Sequence, residues 1–305
     1  MMERIHRFVT FLLLAAVGLI GCEENLAPRE PYDALPFSVY GVLSPDLDTQ
    51  SVRLYLPEDF PTLGSPEPLD VDVISTDLHT GEWRTWHDSV LVEPNGQHEY
   101  VFWEPFQAEF GHVYRVEVVR RSDGVMSYAD VRIPPPVTVR IDDQGDPLLE
   151  VFIEGEDFRA LKPEAEYAVR GAGSGEDDPS PSFPILSYTF PYEGHERRVA
   201  QGWRVTFNMI ADFDALRFLY VADGGSIPAW YCFDLELLGL EVHMLVGDAV
   251  WDPPGGVFEA HLLAQPQTLS NVENGFGFIG GGYRITKPLF PSQEAVESAC
   301  FVYVW

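Results

Sequence analysis

The sequence contains 305 residues, of which 46% are hydrophobic and 13% aromatic, so its apolar content is that of a folded chain and excludes an intrinsically disordered one. Acidic residues outnumber basic ones by 48 to 19, which gives a formal net charge of −29. Because binding to nucleic acids requires Lys and Arg to replace the counterions of the phosphates, this charge predicts that nucleic acid is not a partner.

The N-terminus has the organisation of a bacterial secretion signal. Two arginines form a short positive head, and an apolar run from Phe8 to Ile20 follows them. This run is shorter than the roughly 20 residues of a transmembrane helix, whereas the head, the apolar centre and the small residue at the cut are typical of a signal peptide. The ending Leu19–Cys22 resembles a bacterial lipobox. We predict that residues 1–21 are removed and that Cys22 is the site of lipidation; the alternative is an ordinary signal peptide with a chance cysteine.

A short polar segment follows the predicted anchor. Residues 22–36 include three prolines and little apolar content, which predicts an extended, flexible tether. Glu23 and Glu24 resemble the surface-export signal of Bacteroidota lipoproteins. We therefore expect a lipid-anchored protein of the outer membrane, with the cell surface favoured over the periplasmic face.

Residues 37–136 show short apolar strands separated by turn signals, a spacing typical of an immunoglobulin-like or fibronectin-like β-sandwich. Asn95–Gly96 is the strongest hairpin signal, and it follows a strand predicted from Trp83 to Val92. The sequence Gly111–Tyr114 resembles the tyrosine corner of these sandwiches. Three consecutive prolines at positions 134–136 end the predicted domain, because proline cannot continue a β-ladder.

The apolar pattern of residues 137–305 predicts a second β-rich domain with little helix, so the fold class expected for the whole chain is mainly β. Strands are expected over Arg197–Ile210 and Leu216–Val221, among others, and a short helix capped by Ser292 is expected near the C-terminus. For Pro228–Val246 the apolar pattern does not distinguish a strand from a buried helix.

Two cysteines remain once Cys22 is lipidated, and the predicted compartment permits disulfides. We favour a Cys232–Cys300 disulfide, with two buried free thiols as the alternative.

The segment Ser270–Gly280 contains Asn271, Asn274, Gly275 and Gly277 in the pattern Asn-Val-Glu-Asn-Gly-Phe-Gly. With the lipobox and the layout of strands, it resembles the Bacteroidota lipoprotein family known as domain of unknown function 4249. The resemblance implies a β-rich envelope lipoprotein that acts beside TonB-dependent transport systems, and it supplies no catalytic residues.

The motifs of cofactor and metal chemistry lack their required context. Gly275–Gly280 matches the dinucleotide fingerprint, but no βαβ unit surrounds it, so a bent strand with close backbone approach is expected instead. The histidines form no zinc-binding motif. His79 and His87 flank a predicted hairpin and could meet across it, but solvated strand residues are the favoured interpretation. Two acidic runs could offer oxygens to Ca²⁺ but lack the EF-hand spacing: Asp142, Asp143 and Asp146, and Glu176, Asp177 and Asp178. We predict no metal site and no cofactor.

Two residue pairs bear on function. Asp212 and Asp214 would share one face of a predicted strand, as a glycosidase pair does. Trp83 and Trp86 would point to opposite faces, so that one of them packs in the core. The other could form an exposed platform for a ligand or partner. Burial of both rings, with the second covered by neighbouring loops, is favoured.

These observations favour a non-catalytic lipoprotein that binds a ligand or supports a transporter. Contact with the partner is expected through the loops of the first domain or through Asn274–Tyr283. The alternative is an extracellular hydrolase that acts on glycans through carboxylates of the second domain.

Overall fold

The computed structural model describes residues 37–55, 68–92, 98–142, 145–172, 184–225, 232, 234–251 and 270–304. The predicted signal peptide, Cys22 and the tether lie outside these residues, as does the Asn95–Gly96 turn. The chain is mainly β, with several antiparallel sheets, as its sequence predicts.

The first region, residues 37–136, contributes two groups of strands that face each other. Buried and more accessible residues alternate regularly in β2, β3, β7 and β8, because one side of each of these strands faces the core. The strands are β1 Ser38–Leu43, β2 Gln50–Tyr55, β3 Val71–Asp77, β4 Trp83–Thr85, β5 His87–Val92, β6 His98–Glu104, β7 Val113–Arg120 and β8 Met126–Arg132.

The strand order of this region is that of an immunoglobulin-like sandwich. One layer has the order β1-β2-β6-β5, and the other has the order β4-β3-β7-β8. Their inner faces share one hydrophobic cluster, which includes Trp86 and Tyr114. The predicted tyrosine corner is present, because the Tyr114 hydroxyl accepts a hydrogen bond from the Glu109 N–H at 2.9 Å.

The single strand predicted over residues 83–92 is wrong. The chain breaks at Trp86, so that β4 pairs with β3 in one layer and β5 pairs with β6 in the other. The break has a physical reason: the Trp86 side chain is buried between the layers, and its Nε1 donates to the Ser75 hydroxyl at 2.9 Å.

The second region, residues 137–305, has longer strands and two helices among its described residues. Its elements are β9 Thr138–Asp142, β10 Leu148–Glu154, β11 Phe158–Gly171, β12 Leu186–Pro191, β13 Glu196–Val199, β14 Gly202–Asn208, α1 Met209–Ala222, β15 Leu235–Asp248, β16 Phe276–Leu289, α2 Gln293–Ser298 and β17 Val302–Tyr303. A four-stranded sheet of order β13-β14-β10-β9 shares a second hydrophobic cluster with residues of β11, β15 and α1.

Two strand predictions are corrected here. Residues 197–210 form β13, β14 and the start of a helix, and the strand predicted over Leu216–Val221 is part of α1. Asn208 caps α1 by accepting a hydrogen bond from the Ala211 N–H. The buried residues Met209, Phe213, Leu216 and Tyr220 are three or four positions apart, which is the spacing of one helix face.

The Cys232–Cys300 disulfide is present, with the Cα atoms 4.6 Å apart. Cys300 lies two residues beyond α2, after the C-cap Ala299. The predicted N-cap is confirmed: the Ser292 hydroxyl accepts from the Ala295 N–H at 3.2 Å. The bond therefore ties the C-terminal helix to the segment that precedes β15.

Strand β16 joins the two regions. Its first half pairs in parallel with β1, and its second half pairs antiparallel with β15. One nine-stranded sheet therefore extends from the second region into the first: eight strands follow the path β12-β11-β15-β16-β1-β2-β6-β5, and β17 pairs with β15 beside that path. Both regions belong to one compact unit over Pro36–Trp305. The domain boundary at Pro136 therefore stays a prediction from the sequence.

Candidate functional site

The outer face of the β4-β3-β7-β8 sheet carries an exposed tryptophan. Trp83 is 65% exposed, whereas Trp86 is 5% exposed. The prediction that the two point to different sides is confirmed, and the favoured burial of both is wrong. Strand β4 lies at the edge of its sheet and has three residues, so no neighbouring strand covers the Trp83 ring within the described part of the chain.

A row of side chains crosses this face from Trp83. Cross-strand pairing places Thr76 beside Trp83, then Arg115, then Asp130. The Arg115 guanidinium donates two hydrogen bonds to the Asp130 carboxylate, at 2.7 and 2.8 Å, and also lies 4.6 Å from the centre of the Tyr128 ring. The face thus combines an exposed aromatic ring with fixed planar polar groups, a composition suited to recognition.

A cluster of metal-ligating side chains lies at one end of the same sandwich. Asp77, at the end of β3, is 4% exposed, and its carboxylate accepts hydrogen bonds from the His79 and Thr80 N–H groups. Its Oδ2 lies 2.9 Å from His112 Nδ1. Burial raises the pKa of Asp77, but the hydrogen bonds from His112, His79 and Thr80 outweigh burial, so the net effect is a lowered pKa.

Two histidines complete this cluster. The rings of His79 and His112 are stacked, with centroids 4.6 Å apart and an interplanar angle of 16°. One ligand atom from each of Asp77, His79 and His112 lies within 4.8 Å of the other two. Sequence analysis missed this group because 33 positions separate His79 from His112, and the pairing of β3 with β7, in which Asp77 lies opposite Tyr114, brings His112 beside the end of β3.

His79 and His87 do not meet, and both side chains are exposed, in agreement with the favoured interpretation of solvated residues. His87 begins β5 in the opposite layer, where its ring lies 4.8 Å from that of Trp103 and its Nε2 lies 3.8 Å from Glu104. The cause is the break at Trp86, which sends the chain from one layer to the other.

The two residues of the candidate glycosidase pair, Asp212 and Asp214, both lie on helix α1. Asp212 is 6% exposed, and its Oδ2 accepts from the hydroxyls of Tyr167 and Tyr192 at 2.6 and 2.5 Å. Asp214 is exposed. Residues two apart on a helix point in different directions, so the shared strand face that was predicted does not form. Burial raises the pKa of Asp212, and the two tyrosine hydrogen bonds oppose that rise only in part.

The family-like motif has a structural position. Asn271 makes two hydrogen bonds to the backbone of Ile279, at 2.8 and 3.0 Å, and so folds the segment onto β16. Asn274 has a left-handed backbone (φ 53°) and donates from Nδ2 to the Met126 carbonyl, while the Ser127 hydroxyl donates to the Asn274 carbonyl. The motif therefore fastens the start of β16 to β8 of the first region.

The glycines of this motif serve close backbone approach, as predicted. A Cβ on Gly277 (φ 101°) would overlap the carbonyl oxygen of Val39, and one on Gly275 would lie 2.8 Å from the Ser127 hydroxyl. Within the segment offered as one of two possible partner contacts, the residues from Gly277 to Tyr283 are buried and Asn274 is exposed, so only its first residues are accessible.

Several candidate residues remain unplaced. Cys22, Asp143, Glu176, Asp177 and Asp178 lie outside the described residues. Of the first acidic run, Asp142 is half-buried at the end of β9, and the exposed Asp146 accepts a hydrogen bond from the Leu148 N–H. Asp146 thus has a turn-stabilising contact, and the two residues form no group with His or Cys ligands in the described part of the chain.

No model of a known protein family matches this chain, and no curated protein matches it significantly. Among the described residues there is no helix that is long and apolar enough to cross a membrane.

Proposed function

We propose that this protein is a non-catalytic binding or accessory lipoprotein of the outer membrane. In this proposal Cys22 carries the lipid anchor, residues 22–36 form the tether, and the body acts at the cell surface beside a TonB-dependent transport system. The tether would hold the body near its membrane partner at a high effective concentration. The resemblance to domain of unknown function 4249 belongs to the same proposal.

The exposed Trp83 face carries the proposal. Trp83 is 65% exposed, and burial of its large apolar ring against a partner would contribute favourable free energy to binding. Aromatic and arginine side chains dominate the energetics of protein interfaces, and Arg115 lies in the same cross-strand row as Trp83. The hydrogen bonds from Arg115 to Asp130 keep its guanidinium in place before a partner arrives, which lowers the entropy cost of binding.

Site-specific crosslinking in the native membrane tests the interface. A photoreactive amino acid replaces Trp83 in the full-length chain, and a matched chain carries it at Phe290, which is 73% exposed in the second region. We expect an adduct with a membrane transport receptor from position 83 and not from position 290. Equal adducts from both positions, or none from position 83, would contradict the proposal.

The anchor is tested separately with Cys22→Ser in the full-length chain. The variant should lose its fatty-acid label and leave the membrane fraction. Labelling that persists in the variant would overturn the assignment of Cys22.

The alternative of a glycan hydrolase has no paired carboxylates to support it at Asp212 and Asp214. The Asp212 carboxylate is enclosed by two tyrosines, and Asp214 lies in solvent on the same helix. A screen of glycan substrates with purified protein distinguishes the two functions, since turnover that disappears in Asp212→Asn and Asp214→Asn would favour the hydrolase.

A further inference from the structure

We propose that Asp77, His79 and His112 form a binding site for a divalent transition-metal ion of the Zn²⁺ class. The site lies at the end of the first sandwich, on the turn that leads from β3 into β4, and the ligand geometry that carries it does not depend on the partner proposed for Trp83. One carboxylate oxygen and two imidazole nitrogens form a ligand set that suits Zn²⁺. Mg²⁺ and Ca²⁺ prefer sites made of oxygen ligands, so they should bind here more weakly.

The distances need little change to accept the ion. Zinc binds nitrogen and oxygen at about 2.0–2.2 Å, so two of its ligand atoms in a tetrahedral site lie roughly 3.3 Å apart. Asp77 Oδ2 and His112 Nδ1 are 2.9 Å apart, and the whole set lies within 4.8 Å. Because a metal ion lies in the plane of each imidazole that binds it, the His79 ring would rotate out of its stack with His112 to reach the ion, and its exposure leaves room for that rotation.

The backbone that carries these side chains is fixed before any ion binds. The Gly81 N–H donates to the Asp77 carbonyl and closes the turn that holds His79, and Gly81 adopts the left-handed conformation that the turn requires. The His112 carbonyl accepts from the Ile133 N–H at 2.9 Å. Ligands held in this way pay a smaller entropy cost on binding.

An outer carboxylate supports His112. Glu109 Oε2 lies 3.4 Å from His112 Nε2, while His112 Nδ1 faces Asp77. With the ion on Nδ1, the Nε2–H would donate to Glu109, which is the carboxylate–histidine–metal arrangement that orients metal-binding imidazoles. Three protein ligands leave a fourth coordination position open to water or to a group from a partner.

Cobalt titration of the full-length protein tests the site directly. The protein is purified in detergent with a tag that lacks histidine, treated with EDTA, freed of chelator, and titrated with Co²⁺. We expect one ion per chain with the visible absorption of tetrahedral Co²⁺, displacement by Zn²⁺, and no displacement by Mg²⁺ at equal concentration.

The deciding variant is His79→Ala, because an exposed ring can be removed without loss of the fold. It should bind Co²⁺ at least about 10-fold more weakly. His87→Ala is the matched control, since His87 is also exposed but lies in the other layer, and it should bind as the unchanged protein does. Absence of stoichiometric binding, or equal affinity in His79→Ala and the unchanged protein, overturns the proposal. His112→Gln adds a second measurement: loss of binding with an unchanged circular-dichroism spectrum supports it, and retained binding contradicts it.

Discussion

Asp77 in the first region and Asp212 in the second are both buried, and the two carboxylates have opposite surroundings. Asp77 in the first region accepts hydrogen bonds from two backbone N–H groups and faces His112. Asp212 in the second region has two tyrosine hydroxyls as partners, inside the hydrophobic cluster. The hydrogen bonds at Asp77 lower its pKa despite burial, whereas burial dominates at Asp212 and raises its pKa.

The difference separates a site from a structural contact. Asp77 lies at the end of a strand, and its neighbour His79 is exposed, so an ion from solvent can reach the cluster. Asp212 bridges Tyr167 of β11 and Tyr192, which follows β12, and so fastens helix α1 to the sheet. A buried carboxylate with a shifted pKa is therefore insufficient evidence for chemistry, because its access and partners decide its role.

The largest effect that this comparison predicts is on the stability of Asp212→Ala. The variant leaves two tyrosine hydroxyls without their acceptor inside the protein, at roughly 1–3 kcal/mol each. We expect a loss of about 3–5 kcal/mol in the free energy of unfolding, measured with urea. Asp214→Ala, on the exposed side of the same helix, should change it by less than about 0.5 kcal/mol. Equal losses in the two variants would show that Asp212 is not a structural contact.

How far the sequence predicts these features differs between the regions. Strands β2, β3, β7 and β8 alternate with period two, and the tyrosine corner had a recognisable sequence, so the sandwich was predictable. Helix α1 was missed because its apolar residues were assigned to strands, although Met209, Phe213, Leu216 and Tyr220 have helical spacing.

The candidate site was less predictable than the fold. Its ligands lie on a turn and on a distant strand start, and only the β3–β7 register places them together. The break after Thr85, which changes the neighbour of His87, depends on burial of Trp86 between the layers. Periodicity within a single segment carries neither kind of information.

A covalent difference between the regions gives the next prediction. Residues 37–136 contain no cysteine, whereas Cys232–Cys300 closes a loop over a separation of 68 positions in the second region. Replacing both cysteines with serine should lower the free energy of unfolding by about 2–4 kcal/mol. Hydrogen exchange followed by mass spectrometry should show lost protection around α2 and β15, with β3 and β7 unchanged. Equal loss in both regions would mean that the shared sheet couples them completely.

The tyrosine corner gives a smaller effect in the first region. Tyr114→Phe removes the acceptor of the Glu109 N–H, and one such hydrogen bond contributes about 1 kcal/mol. Thermal unfolding followed by circular dichroism should show a modest decrease in Tm. A decrease as large as that of Asp212→Ala would contradict the contrast drawn between the regions.

The smallest effect is a difference in the slope of stability with pH, and it tests the two aspartates against each other. The pKa of Asp77 is lower in the folded protein than the ordinary 3.8, so the unfolded chain binds protons more tightly there. Asp77 therefore contributes stability above that value, and the contribution is lost as the pH falls. The pKa of Asp212 is raised above 3.8, so ionisation costs stability as the pH rises from 3.8 through the folded pKa. The test is urea unfolding at several pH values with chelator present. Asp77→Asn should remove a contribution to the free energy of unfolding that increases with pH. Asp212→Asn should remove one that decreases with pH. Differences of the same sign in the two variants would refute the assigned environments.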